Sequence, residues 1–268
     1  MNILSFKLTL MKKYFLLLAL PISLIAQPKG ILLEDLTWLE AEKKLTPKTI
    51  VVVPLGAAAK EHGPHLLLKN DLILAEYLKE RVHQSAEVVI APTINYHFYP
   101  AFVEYPGSTS LRLATARDMV IDICRSLARF GPTQFYILNT GVSTVRALKP
   151  AADSLAAHGI TMHFTDLKKL EPVEKTIRQQ EGGTHADEIE TSMILYMKPD
   201  AVDMKKAVRD YTPSAGGGLT RDPNNKQSTY SPTGVWGDAT LATVEKGKIV
   251  TEGLVKMILN DIEKLRSN

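Results

Sequence analysis

The sequence holds a single cysteine, Cys124, so no disulfide can form within the chain. Cys124 lies in the apolar stretch Met119-Val-Ile-Asp-Ile-Cys-Arg-Ser-Leu127, where a buried, inert thiol is expected, and stability has to come from a packed core. Long apolar runs are scarce as well. The most prominent one, Tyr14 to Ala26, falls short of the roughly 20 residues that a membrane-spanning helix needs. Blocks of one charge are missing: 32 Lys and Arg against 29 Asp and Glu leave a net charge of +3. With no aromatic-rich basic stretch, nucleic acid is not an expected partner. Lysine pairs such as Lys43-Lys44, Lys168-Lys169 and Lys205-Lys206 read as solvated helix faces.

What is present is a globular composition, 45% hydrophobic and 23% charged, behind a distinctive start. Met11-Lys12-Lys13 precedes an apolar run of about a dozen residues that ends on the small residue Ala26, followed by the polar Gln27-Pro28-Lys29-Gly30. This pattern describes a secretory signal peptide over about residues 11–26, with Met11 as the natural start; a retained anchor is the alternative. The expected organisation is an extension and signal peptide over 1–26 and one α/β domain over 27–268. The expected destination is the periplasm or the exterior, with no stable membrane insertion after signal removal.

Short apolar, β-branched runs alternate with stretches of helical spacing. Residues 49–55, 87–92, 134–139 and 161–165 read as buried parallel strands. In 71–82 the apolar Leu72, Leu74, Ala75, Leu78 and Val82 form one helical stripe, and 115–129, 144–158 and 187–197 behave likewise. The alternation implies an α/β fold of three layers, a mostly parallel sheet covered on both faces. Residues 212–233, rich in Gly, Pro, Ser, Thr and Asn, read as a long loop. In such a sheet ligands bind beyond the carboxyl ends of the strands, and the polar clusters fall there.

Two clusters carry chemistry. In the first, Glu61, His62, His65 and Asp71 lie close together, with Gly63-Pro64 forcing a turn that lets side chains on either side converge. Imidazole and carboxylate are the ligands that suit Zn²⁺, Mn²⁺ or Fe²⁺. Asp71 reads as a ligand or as the N-cap of the helix that follows it; His65 reads as a site residue or a structural hydrogen-bonder. The second cluster is His185-Ala-Asp-Glu-Ile-Glu-Thr-Ser192. On a helix, Glu188 and Glu190 point roughly 160° apart, so only one of them can face a metal. Gly141-Val-Ser-Thr lacks the last glycine of a nucleophile elbow, and Gly216-Gly-Gly218 lacks the Lys-Ser/Thr of a phosphate loop.

These clusters resemble the creatininase (creatinine amidohydrolase) family. The segment from Pro54-Leu-Gly through Glu61-His-Gly-Pro-His to Asp71 is similar to that family's opening motif, in which Glu, His and Asp bind a pair of divalent metals. Tyr105-Pro-Gly-Ser-Thr is similar to its Pro-Gly-Thr stretch, 185–192 to its His-Ala-Gly-Glu-x-Glu-Thr-Ser signature, and Gly234-Val-Trp-Gly-Asp-Ala-Thr-Leu-Ala-Thr243 to its late motif. The resemblance implies a creatininase-like fold, a homo-oligomer, a divalent metal, zinc first with Mn or Fe as alternatives, and hydrolysis of a C–N bond in a small amide substrate, cyclic or open. It implies metal ligation by Glu61, His62, Asp71 and Glu188, proton transfer by His185 with Glu188 as ligand or base, and a substrate pocket involving His65, Tyr96 and Tyr105.

Two departures stand out. Lys60 occupies the place of the family's Glu two residues before the histidine, and Gly141 stands where the loop after the third strand carries a metal-binding His. Fewer ligands imply one metal rather than two. The rival expectation is an exported creatininase-like binding protein without catalysis.

Overall fold

A computed structural model describes residues 27–267. Its centre is a five-stranded parallel sheet in the order β1-β3-β2-β4-β5. The strands are β1 (Ile31–Leu32), β2 (Ile50–Leu55), β3 (Val89–Ile90), β4 (Gln134–Asn139) and β5 (Thr161–Phe164). β2 and β4 form the longest ladder, from Ile50 opposite Gln134 to Leu55 opposite Asn139. Every residue of β2 is buried, as a strand covered on both faces requires.

The period of two sorts these side chains into separate cores. Ile50, Val52, Tyr136 and Leu138 point to one side, where α2 (Asn70–Ser85), α6 (Glu188–Met197) and α7 (Val244–Arg266) supply Leu78, Ile189 and Leu254. Val51, Val53, Leu55, Phe135 and Ile137 point to the other, against Val120 and Cys124 of α3 (Leu113–Ala128) and Leu148 of α4 (Val145–Ala156). This is the three-layer α/β/α arrangement expected. Cys124 is free and fully buried, and burial pushes its thiol pKa up to about 12.

The second expected strand, 87–92, is shorter and covers only Val89–Ile90. Pro92 has no N–H to donate, so the ladder stops at Ile90 and resumes only as a bridge between Leu55 and Ile94. Elements not read in the sequence are β1, α1 (Trp38–Lys44), the single turn α5 (Glu171–Glu174) and α7. The 212–233 segment is mostly loop but contains the parallel two-residue pair β7 (Leu219–Thr220) and β8 (Thr229–Tyr230); β6 (Arg209–Asp210) and β9 (Gly237–Asp238) pair beside it. No described helix is long and apolar enough to cross a membrane, and the signal-peptide segment lies outside the described residues.

Candidate active site

Beyond the carboxyl end of β2, Gly56 brings the chain against the first turn of α2. A Cβ there would collide with the Asp71 carbonyl, so glycine lets the first turn of the helix, with Asp71 as its second residue, lie beside the strand end. The following turn folds His62 back onto it. His62 Nδ1 donates to the Lys60 carbonyl at 2.9 Å, and His62 Nε2 faces Asp71 Oδ1 at 2.9 Å. The other Asp71 oxygen is 2.7 Å from the Lys60 ammonium. All three side chains are buried. Burial would raise the Asp71 pKa, but the Lys60 ammonium and the adjoining His62 ring outweigh it and hold the carboxyl well below its ordinary value.

The second half comes from the start of α6. Asp187 caps it, accepting from the Ile189 and Glu190 amides. Ala186 just before it has φ +48°, a left-handed conformation that costs an L-residue about 1–2 kcal/mol. That turn sets His185 against Glu190, whose Oε2 accepts the Ala186 amide at 2.6 Å. Strain of this kind concentrates at functional sites. His185 Nε2 donates to the Glu61 carbonyl and carboxylate, both at 3.1 Å, while Nδ1 lies 3.6 Å from Glu190 Oε2. Burial opposes protonation of His185, yet Glu61 and Glu190 raise its pKa; Glu61 is correspondingly held low against the effect of its own burial. The Glu61 carboxylate also accepts the Gly63 amide, and packs where a Cβ on Gly234 (φ +82°) would collide with it.

The halves meet. The His62 and His185 ring centroids are 5.1 Å apart, and one ligand atom each from His62, His185 and Glu190 lies within 4.8 Å of the other two. Above them opens a cavity of about 270 Å³, lined by Lys60, Phe102, His185, Glu190 and Trp236 and walled by the 212–233 segment. Phe102 packs on His185 at 4.2 Å between centroids.

The creatinine amidohydrolase family model matches residues 34–262. The chain belongs to the creatininase family. It is 27% identical over 257 residues to the creatinine amidohydrolase of Pseudomonas putida, covering 88% of this chain and 97% of that protein. It is 24% identical to a mycofactocin precursor peptide peptidase of Mycolicibacterium smegmatis, covering 80% and 85%. The fold matches a solved structure described as creatininase Mn, with a TM-score of 0.73 at 25% identity over 88% of this chain and 98% of that one. These named relatives are hydrolases that act on C–N bonds.

Against this creatininase frame, the structure redistributes the residues singled out from sequence. It gathers Glu61, His62, Asp71 and His185 but not Glu188. The Glu188 carboxylate is fully buried, accepts the Gln179 and Gln180 amides at 2.7 to 3.1 Å and is ion-paired with Lys246 of α7. Glu190, two residues on, faces the cavity instead.

The three expected substrate contacts also lie elsewhere. His65 is buried, with Nε2 2.8 Å from the Thr191 hydroxyl, and burial lowers its pKa to about 4. Tyr105 is buried and donates to the Ser231 carbonyl at 2.7 Å, a tie between loops. Tyr96 is half-exposed, and none of the three lines the cavity. Lys60, Phe102 and Trp236 do, and were not read as site residues; only the departure at Lys60 gave a signal. At Gly141 the loop is tied tightly. Asn139 bonds both the amide and the carbonyl of Gly141, and the Thr144 hydroxyl lies 2.7 Å from the same carbonyl.

Proposed function

We propose that this chain is an exported, metal-dependent amidohydrolase that cleaves a C–N bond of a small amide. The observation that carries the proposal is the convergence of His62, His185 and Glu190 beneath one cavity. Two imidazoles and a carboxylate suit zinc, and manganese as well.

The hydrogen bonds support that fit. With Nδ1 of His62 and Nε2 of His185 donating to carbonyls, each neutral ring is left with one bare nitrogen. Those nitrogens face carboxylate oxygens, His62 Nε2 at 2.9 Å from Asp71 and His185 Nδ1 at 3.6 Å from Glu190. Two acceptors this close require a proton or a cation beside them. Carbonyl and carboxylate acceptors on the far nitrogen are also how metal-binding imidazoles are oriented. In this reading His62, His185 and Glu190 hold the ion, Glu61 orients His185, and His185 is a ligand rather than the proton donor expected from sequence. A divalent ion bound there supplies Lewis acidity and lowers the pKa of a coordinated water from 15.7 to about 7. Phe102 and Trp236 give the cavity apolar walls that exclude bulk water from the amide.

The test is titration of metal-free protein with Zn²⁺ or Mn²⁺, followed by assay against a panel of linear and cyclic amides. One tight ion per chain and ion-dependent hydrolysis are expected, both lost in His62→Ala. A folded protein that takes no ion and cleaves nothing supports the non-catalytic binding protein instead. The export component is read from the mature terminus, expected near Gln27 in the periplasmic fraction. Light scattering on the purified protein tests the homo-oligomer.

A further inference from the structure

Lys60 is an ammonium in an unusual place. Its side chain is buried, and its ammonium is ion-paired with Asp71 Oδ2 at 2.7 Å. Among the described residues no second acceptor lies within hydrogen-bond reach. Instead Nζ sits 4.8 Å from the Phe102 ring centroid and 5.8 Å from that of Tyr99, faces that stabilise a cation without consuming its N–H groups. The side chain lines the cavity beside His185 and Glu190. Asp71, for its part, has Oδ2 against the Lys60 ammonium, while Oδ1 faces His62 Nε2. The Oδ2 side of the carboxylate, where a second ion would have to sit, is therefore already faced by a fixed positive charge.

We propose that Lys60 is a fixed internal cation of this centre, which takes the cation site on Asp71 and leaves one exchangeable ion per chain. Its remaining N–H groups point to the cavity as donors for a carbonyl or carboxylate oxygen of the substrate. The inference rests on the metal-dependent reading above, and its physical content is charge replacement. Desolvating an ammonium costs several kcal/mol unless it is well paired, and Asp71 together with two aromatic faces provides that pairing. Removing the ammonium would leave Asp71 buried with an unpaired charge that a second ion can meet.

The experiment counts ions. Metal-free unmodified protein, Lys60→Gln and Lys60→Glu are equilibrated with Mn²⁺, desalted and measured for manganese per chain by plasma mass spectrometry. Free Mn²⁺ is followed in parallel by electron paramagnetic resonance. Lys60→Glu is expected to hold one ion more than the unmodified chain, and Lys60→Gln an extra but weaker one, visible only in the titration. Equal counts in all three overturn the proposal. Two ions in the unmodified chain also overturn it, while leaving the hydrolase reading intact. No ion in the unmodified chain refutes the hydrolase reading, yet a gain of one in Lys60→Glu still supports the fixed cation. Circular dichroism verifies folding; if Lys60→Glu does not fold, the Lys60→Gln titration decides.

Discussion

Glu188 and Glu190 stand two residues apart on the first turn of the same helix, and they live in opposite worlds. The Glu188 carboxylate is completely enclosed and fully satisfied, by two backbone amides and by Lys246. Glu190 is partly open, accepts one amide and faces an imidazole nitrogen across a cavity wall. The first arrangement closes on itself and holds α6 to α7. The second leaves lone pairs directed at a neighbour that is also an acceptor, which is the condition for recruiting a cation. A buried carboxylate is therefore no marker of a site; incomplete satisfaction next to a cavity is.

The sharpest way to break this comparison is to neutralise each residue in turn. Glu190→Gln keeps an oxygen for the Ala186 amide but loses the charge, so ion affinity and turnover are expected to fall at least about 100-fold, more than the loss typical of a supporting residue. Its urea midpoint should barely move. Glu188→Ala is expected to do the reverse. It strands the Lys246 ammonium and two amides, and breaking a buried pair in this way costs about 3–5 kcal/mol. Ion stoichiometry of the folded fraction should stay unchanged. Loss of the ion in Glu188→Ala together with its retention in Glu190→Gln would exchange the two roles.

The same contrast explains what could be read from sequence. The sheet was legible because β2 is an apolar run throughout and β4 is one between Gln134 and Asn139, the pattern of parallel strands buried on both faces. Helix α7 was missed because its 23 residues carry Lys and Glu between the apolar positions, with glycines at 247 and 253 inside. Gly247 is there because a Cβ would collide with the Ser192 carbonyl of α6, a tertiary demand that no local pattern reveals. α1 went unread although the Thr37 and Glu40 capping box marks its start. At the site, the local periodicity correctly set Glu188 and Glu190 on opposite faces. Which face met the cavity depended on Lys246, distant in sequence, and on the left-handed turn at Ala186.

Two buried histidines extend the comparison to pH. His97, enclosed and bonded only to the Ala116 carbonyl, has its pKa lowered by burial to about 4. Its folded value lies below the unfolded one, near 6.5, so the stability it contributes is complete above pH 6.5 and is lost as pH falls towards 4. The loss is at most about 3 kcal/mol. His185 has the opposite sign: raised by Glu61 and Glu190, it stabilises the metal-free protein below pH 6.5 and ceases to do so as pH rises through its folded value. Urea unfolding of metal-free protein from pH 7.5 to 4 should show the net effect. In His97→Gln, which can still donate to Ala116 but does not titrate, the acid limb should flatten. An unchanged limb would mean that His97 is already solvated or protonated in the native state.

The smallest expected effect tests how the closed side of α6 is assembled. Thr243 is the N-cap of α7, its hydroxyl oxygen accepting the Lys246 amide at 3.2 Å. Its own amide donates to the Ser192 hydroxyl at 3.0 Å, and that hydroxyl in turn donates to the Glu188 carbonyl. One threonine thus fixes the start of α7 against α6 and aims Lys246 at Glu188. Thr243→Ala removes the cap and keeps the amide, so a loss of about 1 kcal/mol is expected, with Thr243→Ser restoring most of it. Because nothing in that chain of bonds reaches His62, His185 or Glu190, ion affinity should stay within about twofold of the unmodified protein. A loss of affinity in Thr243→Ala that Thr243→Ser recovers would show that the closed side of the helix sets the position of the open one, and that the two carboxylates are coupled through the helix rather than independent.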